Sequence, residues 1–488
     1  MAFSTKCAHA IKEKRMPHSV DQIVDLSLTE VAEKLRIGEL RAIEVTEAAL
    51  ARCNALNPDN NAMITICDDR AMAQAKAADD RRASRQNMGP LHGVPITIKD
   101  IFDIAGLPTT AGLPPRLDHV AEGTATVVQR LEAAGAVVLG KANVAEGVAG
   151  KYLDPFGEPH NPWNADYWGG ASSGGSGVAV AAQMGYGSIG SDTGGSIRMP
   201  STVNGVTGLK PTWGRVSRNQ VFELAGTLDH VGPMGRSAED IARLYQVIAG
   251  RDDADPTSLL DPVEGALARL NNGVKGMVIG RPTSWVSDGV DPQLIAALDD
   301  TLAKFAEMGA KIVEVSLPDN STIVDDWYDV SCAQTAVVHE SLFEQNRNSY
   351  SDSLASTIEY GQKLSATALQ KAQTRRDAFR GRLKRSLLSV DAVLMPVLPF
   401  TVPTRTEMDE MDKDTIFALH RFVCPFTMSG VPALAFPVGF DRVGLPLGLQ
   451  LVGPHLSEAT LLRVVHAYQS VTYHHLGRPP MSAGVEIA

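Results

Sequence analysis

A short apolar run, Val94-Pro95-Ile96-Thr97-Ile98, is followed by an amphipathic stretch at 124–134 and a second apolar run at 136–139. Strand, helix, strand in that order is the pattern of a parallel pair joined by a crossover helix. The alternation continues downstream. Strands are expected at 276–279, 311–315, 392–397, 433–436 and 447–452. Helices are expected at 292–308, with Leu294, Leu298, Leu302 and Phe305 on one stripe, and at 458–469. Upstream, Ser27-Leu28-Thr29-Glu30 has the form of a capping box that opens a helix. Two more helices follow at about 40–56 and 70–82. The pattern predicts an α/β fold with a largely parallel sheet. A loose tail occupies 1–20, a helical layer 21–85 and the α/β core 86–480. Within the core, the polar stretch at about 320–385 reads as a helical insertion packed on the sheet, with a lid as one role open to it.

Composition narrows the function classes. A net charge of −11 is the wrong sign for a nucleic-acid partner. No stretch approaches the roughly 18 apolar residues of a membrane span, and the polar, basic N-terminus lacks the apolar segment of a secretory signal. The five cysteines, Cys7, Cys53, Cys67, Cys332 and Cys424, are scattered, so reduced thiols in a cytoplasm are expected, each a small buried apolar residue. No His, Asp or Glu cluster has metal-ligand spacing.

Lys99 follows directly on the β-branched run at 94–98. A lysine there is either a solvated strand end or a buried amine. Burial demands a partner or a lowered pKa, and an amine made neutral in that way can serve as a general base. Asp100, next in the chain, reads as a loop or cap hydrogen-bonding group. Two Gly/Ser segments follow: Gly170-Ala171-Ser172-Ser173-Gly174-Gly175-Ser176-Gly177 and Gly190-Ser191-Asp192-Thr193-Gly194-Gly195-Ser196-Ile197-Arg198-Met199-Pro200. The first runs into the apolar helix from Val178, so it is a positioned loop rather than a free linker. It lacks the GxxxxGK[ST] and GxGxxG patterns of phosphate cradles. In the second, Ser196 stands where both an N-cap serine and an anion site at a helix start are expected. Asp192 and Arg198 flank it and read as an ion pair bracing the turn. His92, His119, His160 and His230 are available, but none stands in a recognised Ser/His/Asp arrangement. Serine with lysine and without histidine points to acyl transfer.

These segments, with Gly93-Val94-Pro95-Ile96-Thr97-Ile98-Lys99-Asp100, Gly208-Leu209-Lys210-Pro211-Thr212-Trp213-Gly214-Arg215, Asp229-His230-Val231-Gly232-Pro233-Met234 and Leu445-Pro446-Leu447-Gly448-Leu449-Gln450, closely resemble the amidase signature family over about residues 25–475. The resemblance implies one large α/β domain with a mixed, mostly parallel β-sheet covered by helices on both faces. It makes Ser196 the nucleophile, Ser172 a relay serine after a cis peptide bond and Lys99 the base. Thr193, Gly194 and Gly195 would supply the oxyanion hole, and Ser173, Asp192 and Arg198 structural support. Gly147 and Val148, in Glu146-Gly147-Val148-Ala149-Gly150, match a region that lines the acyl pocket. The small residues there predict a roomy apolar pocket for bulky aryl or alkyl amides, with Trp168, Trp213 and Phe222 open to lining it or to core packing. The implied activity is hydrolysis of a carboxamide, anilide or carbamate with water, without cofactor or metal. A homodimer is left open. Two other readings stay open: the A subunit of the aminoacyl-tRNA amidotransferase, and a catalytically silent binding protein. Against the first, the Tyr/Asp-Gly-Val-Arg-Tyr-Gly segment usual in that protein is missing near Ile358-Glu359-Tyr360-Gly361-Gln362.

Overall fold

Residues 19–480 are described in the computed structural model, so the expected tail lies, apart from Ser19 and Val20, outside the described residues. Eleven strands join one sheet: β1 (Met63–Ile66), β2 (Pro95–Lys99), β3 (Val137–Ala142), β4 (Ser188–Asp192), β5 (Thr207–Lys210), β6 (His230–Gly235), β7 (Val278–Arg281), β8 (Lys311–Glu314), β9 (Ala392–Pro396), β10 (Ala433–Phe440) and β11 (Pro446–Val452). Their order is β1-β3-β2-β4-β6-β5-β10-β11-β9-β7-β8.

The sheet is mixed. Its parallel pairings form two blocks. In one, β3-β2-β4, the helix Thr126–Ala133 crosses between β2 and β3 with Ile96 opposite Val138. In the other, β9-β7-β8, Ile279 lies opposite Ala392 and Ile312. The strip from β4 through β6, β5, β10 and β11 to β9 pairs antiparallel, which the strand–helix alternation alone does not predict. Every residue of β2, β3 and β4 is buried, as expected where helices cover both faces of a parallel block.

One apolar cluster packs the N-terminal helices and Thr126–Ala133 against β2 and β3. A second packs Ala238–Ile248, Pro292–Glu307 and Glu458–Gln469 against β7, β9, β10 and β11. The capping box forms: Ser27 Oγ accepts from the Glu30 N–H at 3.1 Å, and the Ser27 N–H donates back to Glu30 at 2.7 Å. Three helices, Ile323–Asn346, Asp352–Lys363 and Ala366–Leu387, fill the polar stretch. Because β2 and β4 are parallel neighbours, the chain leaves both at the same, carboxyl edge. That is the edge at which α/β sheets offer a binding crevice.

Candidate active site

Lys99 is the last residue of β2 and is fully buried. Its side chain leaves the sheet toward the turn that carries Ser172 and Ser173 and toward Ser191 of β4. Its Nζ lies 2.8 Å from Ser172 Oγ, 2.9 Å from Ser173 Oγ and 2.9 Å from Ser191 Oγ. Among the described residues no carboxylate hydrogen-bonds to it or forms an ion pair with it. Burial drives the amine down from the ordinary lysine range to about 7, while the more distant Asp229 and Asp192 keep it from falling further.

The three hydroxyls differ in role. The Ser173 O–H donates to the Ser191 carbonyl at 3.1 Å, so toward Lys99 Ser173 can only accept. Ser191 is likewise placed to accept from the amine. A neutral lysine has two N–H groups and one lone pair. With Ser173 and Ser191 taking the two hydrogens, the lone pair is left for the Ser172 hydroxyl. The Ala171–Ser172 peptide bond is cis, and the Ser172 carbonyl accepts from the Ala145 N–H at 3.3 Å.

The second segment leaves β4 as a tight turn. Asp192 is fully buried and paired with Arg198, whose Nε and Nη2 each donate to it at 2.9 Å. The carboxylate also accepts from the N–H groups of Gly195 (2.8 Å), Ile197 (3.3 Å) and Arg198 (3.4 Å). Burial opposes the charge on Asp192, but Arg198, Lys210 and His230 outweigh it and hold the carboxyl well below the usual range. Arg198 carries the brace outward to Gln450 Oε1 on β11 at 3.0 Å and to the Val423 carbonyl at 3.0 Å. Gly195 adopts φ +115°, where a Cβ would also strike Met199 and Val423, so only glycine fits.

Ser196 is the single residue between 172 and 204 that is not buried. The turn thus presents one hydroxyl to the outside. Of the expected oxyanion donors, the Gly195 N–H is instead committed to the Asp192 carboxylate, to which it donates at 2.8 Å. The Gly194 and Ser196 N–H groups have no acceptor among the described residues. Thr193 is tied down by its hydroxyl, which donates to Asp229 at 2.6 Å.

Gly147 (φ +52°) and Val148 (φ +69°) form a buried turn two residues beyond Ala145. Space there is already taken: a Cβ on Gly147 would lie 2.6 Å from Leu354 and 2.8 Å from the His339 ring. The helices after 320 therefore close over this turn. Trp168 is core, packed with Met199, Val203 and Val397. Trp213 is half-buried and donates to the Gly226 carbonyl at 3.3 Å. Phe222 stands edge-on to His339 at 5.5 Å under the Arg116 guanidinium. His230 is fully enclosed, its Nδ1 held by the Leu228 carbonyl at 2.6 Å, and it meets neither serine. Asp100 is ion-paired with Lys141 at 2.7 Å and bonded to Thr110, a support role.

Sequence reasoning left three contributors unassigned. Ser191 lies in the quoted motif, one residue before Asp192 on β4, and strand alternation puts the two on opposite faces. Trp327 and His420 come from distant helices with no local signal. Their rings stack at 4.8 Å, and the Trp327 indole N–H donates to the Thr193 carbonyl at 2.8 Å.

Comparison with known proteins finds relatives along nearly the whole chain. The Amidase family model matches residues 44–462. The chain is 39% identical over 468 residues to a putative amidase, AmiD, of Mycobacterium tuberculosis, covering 94% of this chain and 97% of that one. It is 37% identical over 475 residues to the A subunit of the glutamyl-tRNA(Gln) amidotransferase of Thioalkalivibrio sulfidiphilus, covering 92% and 98%. Among solved structures, a vestigial protein complex bearing on the evolutionary origins of an s-triazine catabolic enzyme superposes with a TM-score of 0.87 at 29% identity, over 93% of this chain and 100% of that one. With its fold and its serine–lysine constellation, the chain belongs to the amidase signature family.

Proposed function

We propose that this chain hydrolyses the C–N bond of a carboxamide, anilide or carbamate through an acyl-enzyme on Ser196, with Ser172 as proton relay and Lys99 as general base. The observation that carries the reading is the buried Lys99 amine, 2.8 Å from Ser172, with its other two contacts on hydroxyls placed to accept.

Ser196 Oγ attacks the carbonyl carbon as its proton passes to Ser172, whose own proton goes to Lys99. The carbonyl oxygen becomes an oxyanion facing the Gly194 and Ser196 N–H groups, with the Thr193 N–H as the third expected donor. Loss of one such donor typically costs about 10²–10³ in rate. The tetrahedral carbon then expels nitrogen. Ser172 gives that nitrogen a proton and recovers one from Lys99. Water repeats the sequence on the ester and releases the acid. Lys99 cycles between amine and ammonium, and a value near neutrality suits both halves.

The half-buried Trp327–His420 stack beside the turn supports a flat or bulky acyl or leaving group. Free, buried Cys53, Cys67, Cys332 and Cys424 support a reducing, cytoplasmic setting. The test is hydrolysis of a panel of anilides, aliphatic amides and carbamates, with Ser196→Ala as control. Turnover that survives in the Ser196→Ala protein refutes the reading. The similarity to amidotransferase A subunits keeps a second reading in view. Under it, glutamine is the substrate and turnover depends on a partner chain; glutamine hydrolysis that outpaces every anilide would favour it.

A further inference from the structure

The helix Ile323–Asn346 belongs to the stretch after 320, yet one of its side chains reaches the catalytic turn. The Trp327 indole N–H donates to the Thr193 carbonyl at 2.8 Å. The same ring lies so close to Gly194 that a Cβ there would sit 2.4 Å from Cζ2. The ring is held in turn by its stack on His420, whose Nδ1 bonds the Ile416 carbonyl at 2.7 Å. The preceding residue, Asp326, is buried and ion-paired with Arg375 of the helix Ala366–Leu387, which fixes the backbone that carries the indole.

The carbonyl of Thr193 and the N–H of Gly194 are two ends of one peptide group. That bond is trans, since the cis bonds among the described residues are Asp154–Pro155 and Ala171–Ser172. In a planar trans peptide the C=O and N–H point in opposite directions. A donor that pins the carbonyl therefore also aims the amide the other way and polarises it. The Gly194 N–H has no acceptor of its own to hold it among the described residues. Asp192 fixes the neighbouring Gly195 amide, and Asp229 fixes the Thr193 side chain, but neither fixes the plane of the Thr193–Gly194 peptide.

We propose that Trp327 is a positioning residue for the oxyanion hole: its indole N–H clamps the Thr193–Gly194 peptide so that the Gly194 N–H faces the oxygen of the reacting carbonyl. The proposal rests on the Ser196 acyl-enzyme reading above. It assigns to the helices after 320 a part in transition-state stabilisation as well as in covering the site.

The test removes the N–H and keeps the ring, by Trp327→Phe and by incorporating the sulfur isostere β-(3-benzothienyl)alanine at position 327. A net hydrogen bond of this kind is worth about a tenfold change in rate. For both variants kcat on an anilide and the rate of Ser196 phosphonylation by an alkyl fluorophosphonate fall about tenfold. Affinity for a trifluoromethyl ketone, which forms a tetrahedral oxyanion on serine, falls in parallel. KM, affinity for the carboxylic-acid product and the pH at which activity half-develops stay unchanged. Wild-type kcat and phosphonylation rate in the isostere variant overturn the proposal, as does a loss confined to KM. If the Ser196→Ala protein still hydrolyses amides and takes up the phosphonate, the underlying reading fails instead, and this proposal fails with it.

Discussion

Hydrolysis should switch on with pH at a position set by Lys99. The base works only uncharged, and burial brings its amine from 10.5 to about 7. The neutral fraction then rises about tenfold between pH 6 and 8 and levels off above it. A lysine of ordinary basicity would instead give a rate that climbs about tenfold per pH unit to pH 10 without a plateau. The assay is kcat/KM for one anilide from pH 5.5 to 10. The same amine leaves a mark on stability. Between pH 7 and 10.5 the unfolded chain holds a proton on Lys99 that the folded chain does not, so stability rises with pH across that window. The penalty is fully present below 7, is gone above 10.5, and amounts to roughly 5 kcal/mol at one 1.4 kcal/mol step per tenfold change in proton affinity. It appears as the difference in pH dependence between the wild type and Lys99→Met under chemical denaturation. A rate still climbing at pH 10, together with parallel stability curves for the two proteins, would refute a buried neutral amine.

Asp192→Asn leaves Arg198 buried without its counter-charge and is expected to cost about 3–5 kcal/mol, read as a lowered denaturation midpoint; a change within error would mean that the pair does not brace the turn. Ser172→Ala removes the relay, so turnover collapses while product-acid affinity persists, checked by kinetics and by competition. Gly194→Ala drives a Cβ into the Trp327 ring, so kcat falls, and Gly194→Ala combined with Trp327→Leu recovers the thermal midpoint without recovering kcat.

Much of this site is local in the sequence and could be read there. Lys99 ends a run of β-branched residues, and the serines sit in glycine-rich turns, because strand burial and tight backbone approach require those residue types. Strands β7 to β11 and the crossover between β2 and β3 announce themselves through apolar runs. Strands β4, β5 and β6 do not. Ser188–Asp192, Thr207–Lys210 and His230–Gly235 are short and rich in glycine and polar side chains. They are strands because neighbours on both sides pair with them, a tertiary effect that outweighs local propensity. The same blind spot hides Ser191, whose contact with Lys99 needs the β2–β4 register, and Trp327, which meets Thr193 from a position 134 residues away. The Gly195 amide was open to misassignment for a related reason. A glycine in a turn looks like a free donor until the carboxylate that claims it is seen.

The central claim is that Ser196 becomes acylated because Ser172 and Lys99 take its proton. Intact-mass spectrometry after brief mixing with an activated anilide or ester at pH 8, followed by peptide mapping, tests it most directly. One acyl group should be found, on Ser196, and none in the Ser196→Ala, Ser172→Ala and Lys99→Met proteins within the wild-type mixing time. An adduct on another side chain, or full acylation of Ser196 in the Lys99→Met protein, would contradict the account.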